Sequence, residues 1–202
     1  MSIRHLRLIL WGMVAVALFG VGAVLATQWT MRGTPVATRG AGVPLGDEFQ
    51  LVSHRGEPVS EAILHGKPSV LFFGFTHCPD VCPTALFEMS EWIAALGADA
   101  ERLNYVFVTV DPERDTPEVL REYLSAFSDR ITGVTGDPEK VAAMLSDYHI
   151  YNKKVPLEGG DYTMDHTASV FLLDENRALS GTVSREESRD AALAKLRNFV
   201  AS

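Results

Sequence analysis

The chain has 202 residues, which is enough for one ordinary domain and an appendage. With 47% hydrophobic and 22% charged residues, its composition is that of a globular protein. Residues 1–33 hold three of the 18 basic residues and none of the 26 acidic ones, so the remainder has 15 basic and 26 acidic side chains, a net charge of −11. This acidity argues against nucleic-acid binding, because phosphate groups would be repelled.

An apolar segment, Leu8–Ala26, comes first in the chain and contains no charged side chain. Its 19 residues approach the ~20 needed to cross a bilayer as a helix. Arg4 and Arg7 precede it, as the positive-inside rule expects. The pattern predicts a single transmembrane helix within an anchor region, residues 1–33, and a cleavable signal peptide is the alternative. Either segment would place the domain that follows outside the cytoplasm.

Residues 34–43 contain glycine and proline without an apolar period, which predicts a linker. Over residues 44–202, apolar runs alternate with helical periodicity, and this predicts an α/β domain with a mixed central sheet. The predicted elements, in chain order, are a hairpin over 49–59, a strand at 69–75, a helix at 83–96, a strand at 105–110, a helix at 117–127, a strand at 131–134, a helix at 138–148, paired strands at 169–173 and 178–183, and a helix at 187–200.

Both cysteines, Cys78 and Cys82, lie where the first central strand passes into a helix. Open α/β sheets place their functional sites at the carboxyl ends of such strands. A helix N-terminus also favours thiolate over thiol, because its unpaired N–H groups and its dipole stabilise negative charge. The sequence therefore predicts that the two thiols carry the chemistry of the domain.

The Cys-x-x-x-Cys spacing is compatible with three uses. On a helical turn, sulfur atoms at i and i+4 can bind one metal ion or cycle between dithiol and disulfide. A purely structural disulfide is less favoured, because closing so short a loop gains little chain entropy. Structural zinc normally has four protein ligands, whereas two thiolates with one imidazole suit copper.

Six histidines are available as a third ligand. His54 and His65 lie in turn-like contexts and are predicted to be solvated, while His77 is predicted to point away from the neighbouring cysteine. His166 lies in a predicted loop just before the strand at 169–173, and this loop can reach the cysteines if the two strands are neighbours. The spacing of the residues alone does not show which of these histidines is the third ligand.

Three motifs, taken together, resemble those of the SCO/SenC family: FFGFTHCPDVCPTAL at Phe72–Leu86, VTVDPERDTPEVL at Val108–Leu120 and DHTASVFLLD at Asp165–Asp174. Members of this family are membrane-anchored, thioredoxin-like copper proteins involved in assembling cytochrome c oxidase. The resemblance implies a thioredoxin-like fold for residues 44–202. It also implies that copper, as Cu(I) or Cu(II), is bound by Cys78, Cys82 and His166.

Two functions from different classes follow from the resemblance. The first is a copper chaperone, anchored in the cytoplasmic membrane with its domain in the periplasm, that delivers copper to the copper-A-bearing subunit of cytochrome c oxidase. The second is a thiol–disulfide reductase, in which Cys78 and Cys82 keep the copper-ligand cysteines of that subunit reduced. Redox sensing by the cysteine pair is a third alternative.

Charged residues near the motifs have more ordinary interpretations. Asp80, between the cysteines, could cap helix N–H groups, adjust the charge of the site or contact a partner. Asp111, Arg114 and Asp115 follow the carboxyl end of the second central strand. We expect an internal Asp–Arg pair to fix this loop, and we do not expect these residues to bind the metal directly.

Overall fold

The computed structural model of the protein describes Trp11 and residues 43–201. Contacts divide the chain into two units, Met1–Gly40 and Ala41–Ser202, and the fold is that of the second unit. Within the described residues, no helix combines the length and the apolar character needed to cross a membrane. The predicted transmembrane helix, apart from Trp11, lies outside the described residues, and so does the predicted linker apart from its last residue.

The described part of the chain forms nine strands and four α-helices, which alternate between residues 69 and 147. The strands are β1 Gln50–Ser53, β2 Pro58–Ser60, β3 Ser69–Gly74, β4 Asn104–Thr109, β5 Ile131–Thr135, β6 Asn152–Pro156, β7 Tyr162–His166, β8 Val170–Leu173 and β9 Leu179–Val183. The helices are α1 Val81–Leu96, α2 Pro117–Leu124, α3 Pro138–Asp147 and α4 Arg189–Ala201.

One seven-stranded mixed sheet organises the domain, with the strand order β2-β1-β5-β4-β3-β8-β9. Strands β3, β4 and β5 are parallel to one another, so their carboxyl ends meet at one edge of the sheet. Strand β8 is antiparallel to β3, and the pairing of Phe72 with Val170 brings the start of β8 to that same edge. The chain segment entering β8 therefore arrives beside the segment leaving β3, which carries the cysteines.

The centre of the sheet is buried, as the apolar runs predict. All six residues of β3 are buried, and so are five of the six residues of β4. Full burial of alternating side chains requires cover on both faces of a sheet, which is typical of parallel strands in α/β domains. Phe72 and Phe107 occupy paired positions on β3 and β4, and their rings pack with centroids 5.9 Å apart.

The predicted elements are present, with boundaries that shift by a few residues. Helix α2 begins after Thr116, whose hydroxyl accepts a hydrogen bond from the Val119 N–H, and Pro117 occupies its first turn, as predicted. Helix α1 starts two residues earlier than predicted, at Val81, and α2 ends three residues earlier, at Leu124.

Two features differ from the prediction. Strands β6 and β7 were not predicted, and they form a separate two-stranded antiparallel hairpin in which Asn152 pairs with His166. His54 is buried, contrary to the predicted solvated turn. Its Nδ1 atom accepts a hydrogen bond from the Gly133 N–H at 3.0 Å, and its burial lowers its pKa. The local turn pattern could not indicate that β5 covers this ring.

Candidate metal centre

The two cysteines occupy different positions relative to α1. Cys78 is half-buried in the loop after β3, and Cys82 lies in the first turn of the helix. The Cys78 Sγ atom accepts a hydrogen bond from the Cys82 N–H at 3.4 Å. The thiol thus takes the place of a capping oxygen, satisfying one of the N–H groups that have no partner within the helix. Cys78 therefore precedes the helix. It was expected to share a helical turn with Cys82, and that expectation was wrong.

Cys82 is completely buried, with 0% of its surface exposed. A Cβ atom at Gly74 would lie 2.9 Å from the Cys82 sulfur and 2.8 Å from the Phe107 ring. The last residue of β3 therefore leaves just enough room for the thiol. This close approach explains the glycine in the otherwise bulky run Phe72–Phe75.

The surroundings drive the pKa values of the two thiols apart. A hydrogen bond from the Cys82 side chain lowers the pKa of Cys78 to about 5, and the backbone N–H groups of Cys82, Asp80 and Val81 act in the same direction. The same hydrogen bond, in which the Cys82 thiol is the donor, raises the pKa of Cys82, and burial raises it further. The surroundings therefore favour the thiolate at Cys78 and keep the proton on Cys82.

His166 contacts this pair from a distant part of the chain. Its Nε2 atom lies 3.6 Å from the Cys82 Sγ atom, and its ring packs edge-on against Phe75 with centroids 5.7 Å apart. The Nδ1 atom is 2.8 Å from the Thr167 carbonyl oxygen. Because a carbonyl oxygen can only accept, Nδ1 carries the proton, and the lone pair of Nε2 is directed at the cysteine side.

The structure thus brings Cys82 and His166 together, with Cys78 hydrogen-bonded to the backbone of Cys82. His166 was expected in a loop, but it is the last residue of strand β7. Over residues 43–201, no group of three or more His, Cys, Asp and Glu side chains is arranged as a metal cluster. His77 is exposed, and its Nδ1 atom faces the Thr76 hydroxyl at 3.1 Å.

A buried carboxylate lies beneath the cysteine loop. Asp115 accepts hydrogen bonds from the Thr76 N–H at 3.1 Å, the Thr76 hydroxyl at 2.6 Å and the Thr109 hydroxyl at 2.6 Å. Burial raises the pKa of Asp115, and these hydrogen bonds oppose that effect. Asp115 therefore ties the loop after β3 to the end of β4. The predicted Asp–Arg pair is formed by Asp111 and Arg114, and Asp115 takes no part in it.

A further group, which the sequence did not indicate, joins this loop to the β6–β7 hairpin. The Tyr162 hydroxyl donates to the Asp111 Oδ1 atom at 2.8 Å, and the Arg114 Nη1 atom donates to the Tyr162 carbonyl oxygen at 3.0 Å. Strand β7 itself could have been predicted, because Tyr162, Met164 and His166 alternate with more polar neighbours, which is typical of a strand.

Fold and site together define a class of protein. It is a thioredoxin-like α/β domain with two cysteines at the start of the first helix and a histidine, from the segment before β8, in contact with the second of them. The SCO1/SenC family model matches residues 37–201, and the chain belongs to this family. The family resemblance found in the three sequence motifs is therefore confirmed, and so is the predicted thioredoxin-like fold with a mixed sheet.

The individual relatives include both curated proteins and a solved structure. The chain is 35% identical over 197 residues to the mitochondrial SCO2 homologue of Mus musculus, covering 92% of this chain and 77% of the relative. It is 37% identical over 161 residues to mitochondrial SCO2 of Saccharomyces cerevisiae, covering 78% of this chain but only 54% of that protein. The structure of Bradyrhizobium japonicum ScoI with copper bound is 45% identical, with a TM-score of 0.72, and the match covers 77% of this chain and 99% of that one.

Proposed function

We propose that this protein is a copper chaperone that binds copper through Cys78, Cys82 and His166. The contact between Cys82 and His166, 84 residues apart in the chain and 3.6 Å apart in space, is the observation that carries the proposal. Soft thiolates favour Cu(I), and a neutral imidazole nitrogen completes a three-ligand set. Copper bound to a relative with 45% identity supports the choice of metal.

The surroundings of the site affect the protonation of its three proposed ligands differently. The lowered pKa of Cys78 favours its thiolate, whereas the raised pKa of Cys82 means that this thiol has to lose a proton to copper, so binding releases a proton and weakens as the pH falls. Thr167 holds the imidazole in the tautomer that a metal requires. A three-ligand set leaves room for an incoming ligand from a partner, which makes transfer by ligand exchange feasible.

The recipient in this proposal is the binuclear copper site of the copper-A-bearing subunit of cytochrome c oxidase. Transfer to that subunit requires both proteins to face the same compartment. We therefore propose that residues 8–26 anchor the protein in the cytoplasmic membrane and that the domain lies in the periplasm. Full-length protein should remain in the membrane fraction after carbonate extraction, and a variant lacking residues 1–33 should not.

The ligand set is tested by reconstituting the reduced, purified full-length protein with Cu(I) and measuring bound copper by mass spectrometry and affinity by competition with a chelator. We expect His166→Ala to raise the Kd about a hundredfold, since one of three ligands is lost, and Cys78→Ser or Cys82→Ser to abolish stable binding. The matched control is His77→Ala, which removes an exposed imidazole adjacent to Cys78 and should leave the affinity unchanged. Undiminished copper binding by His166→Ala, or a preference for zinc, would contradict the proposal.

A thiol–disulfide reductase is the second candidate, and the lowered pKa of Cys78 favours it. The Cys78 thiolate would attack a partner disulfide, forming a mixed disulfide and releasing one partner thiolate. Cys82, after losing its proton, would then attack the Cys78 sulfur, forming the Cys78–Cys82 disulfide and releasing the second partner thiolate. Oxidase assembly that survives His166→Ala but not Cys78→Ser would favour the reductase over the chaperone.

A further inference from the structure

The position of His166 depends on an element that the main sheet does not hold. Among the described residues, strands β6 and β7 pair with each other and with no strand of the main sheet, and His166 is the last residue of β7. An isolated two-stranded hairpin is at best marginally stable in water, so its packing on the rest of the domain has to fix it. Besides the connection to β8, the contacts that anchor this hairpin therefore set where the imidazole lies.

One group of these contacts lies around Tyr162, at the other end of β7. The Tyr162 hydroxyl donates to Asp111, a carboxylate that is 1% exposed, and the Tyr162 carbonyl oxygen accepts from Arg114. The guanidinium carbon of Arg114 also lies 3.8 Å from the centroid of the Tyr162 ring. Arg114 is fixed in turn, because its Nε atom donates to Asp111. Hydrogen bonds to charged groups are stronger than neutral ones, and a cation over an aromatic face adds to them.

Strand β6 takes part through Lys154. Its ammonium group lies 4.5 Å from the centroid of the Tyr162 ring and forms an ion pair with Glu113 in the same loop as Asp111. Both strands of the hairpin are thus tied to the loop between β4 and α2. We call the set Asp111, Arg114, Lys154 and Tyr162 the Tyr162 clamp.

The clamp and the candidate ligand lie on the same side of one strand. Residues at i, i+2 and i+4 of a strand point to one face, so Tyr162, Met164 and His166 share a face of β7. Met164 is buried between them. Loosening Tyr162 would therefore allow the whole strand, including His166, to move away from Cys82.

We infer that Tyr162 and Arg114 are positioning residues that hold His166 beside the cysteines and so slow the release of copper. The inference rests on the proposed function, in which His166 binds copper. The contacts of these two residues set how readily the third ligand leaves.

The first test uses metal-free, reduced, full-length protein and follows hydrogen exchange of the β7 amides. Tyr162→Phe removes the bond to Asp111 but keeps the ring beside Arg114, and we expect exchange about tenfold faster than in the wild type. Tyr162→Leu also removes the ring, and we expect a larger increase. The matched control is Tyr151→Phe, the same chemical change at an exposed tyrosine just before β6, which should leave exchange unchanged. If the β7 amides of both Tyr162 variants exchanged at the same rate as those of the wild type, the inference would be overturned.

The second test measures the rate at which Cu(I) passes from the loaded protein to a chelator. We expect Tyr162→Phe to accelerate release about tenfold, because the third ligand detaches more often. In a His166→Ala background, Tyr162→Phe should have no further effect, since the clamp acts only through that imidazole. An equal acceleration in both backgrounds would contradict the positioning role and indicate a general loss of stability.

The two tests separate this inference from the proposed function. If the wild type bound no copper, the proposed function would fail. Faster β7 exchange in Tyr162→Phe would then still support the positioning of His166, and unchanged exchange would overturn it.

Discussion

Cys78 and Cys82 are identical side chains in different surroundings. Cys78 is half-buried and receives hydrogen bonds from Cys82 and from backbone N–H groups at the start of α1. Cys82 is enclosed by the core below Gly74 and acts as a donor. A low-pKa, accessible thiol beside a buried partner is suited both to metal capture and to attack on a disulfide. Both proposed functions therefore use the asymmetry of the pair as well as its spacing.

Alkylation of the reduced, metal-free protein tests this asymmetry. Because the pKa of Cys78 is lowered to about 5, its thiolate forms as the pH rises through that value and persists at neutral pH. We expect iodoacetamide to modify Cys78 with a midpoint near this pKa and to spare the buried Cys82, as followed by peptide mass spectrometry. Cys82→Ala removes the main hydrogen-bond donor and should raise the midpoint toward the ordinary value of 9.0. A wild-type midpoint near that ordinary value would contradict the assignment.

At the scale of elements, two helix starts show that the same residue type at the same position can have different roles. Asp80 and Asp137 both occupy the N-cap position, before α1 and α3 respectively. Asp137 accepts hydrogen bonds from the N–H groups of Glu139 and Lys140, whereas the Asp80 side chain forms no cap hydrogen bond. Cys78 performs that role at α1, so the capping interpretation of Asp80 was wrong. The exposed carboxylate remains available for a partner.

The two aspartates form a matched pair for denaturant unfolding. We expect Asp137→Ala to lower the free energy of unfolding by about 1 kcal/mol, because two helix N–H groups lose their acceptor. Asp80→Ala should change it by less than about 0.5 kcal/mol, since no cap bond is lost. Equal losses in the two variants would show that Asp80 caps α1 after all.

The β6–β7 hairpin is the element that sequence patterns missed. Its turn contains Gly159 and Gly160, both with positive φ, and its strands are short and largely polar. Such strands lack the apolar runs by which β3, β4 and β8 were recognised. They also contact the loop between β4 and α2 through Tyr162 and Lys154, and contacts between residues so far apart in the chain cannot be read from a local pattern.

At the scale of the whole molecule, three segments that support the cysteine side of the site meet at one edge of the sheet. Asp115 connects them: its carboxylate binds Thr76 and Thr109, and its carbonyl oxygen accepts from the Thr135 hydroxyl at 2.7 Å. The ends of β4 and β5 and the loop after β3 are therefore fixed to one another. The cysteine loop takes its position from this buried network.

We expect Asp115→Ala to lower the free energy of unfolding by about 3 kcal/mol, because the buried Thr109 hydroxyl and the Thr76 N–H lose their acceptor. The matched control is Asp129→Ala, at an exposed aspartate in the turn before β5, with an expected change below about 0.5 kcal/mol. Both changes are measured by denaturant unfolding of the metal-free protein. A loss at Asp115 no larger than that at Asp129 would contradict the network's importance.

The amino-acid sequence by itself determined the type and order of the main strands and helices, the location of the two thiols at a strand–helix junction and, through its three motifs, the family. These are properties of short segments, because apolar periodicity and capping residues act within a few residues of one another. Only the tertiary structure decided that His166 contacts Cys82, that Cys78 caps α1, and that Asp115 and Tyr162 secure the two sides of the site. Those outcomes depend on β8 pairing beside β3 and on a hairpin packed against a distant loop, and such contacts form only when the whole sheet has assembled.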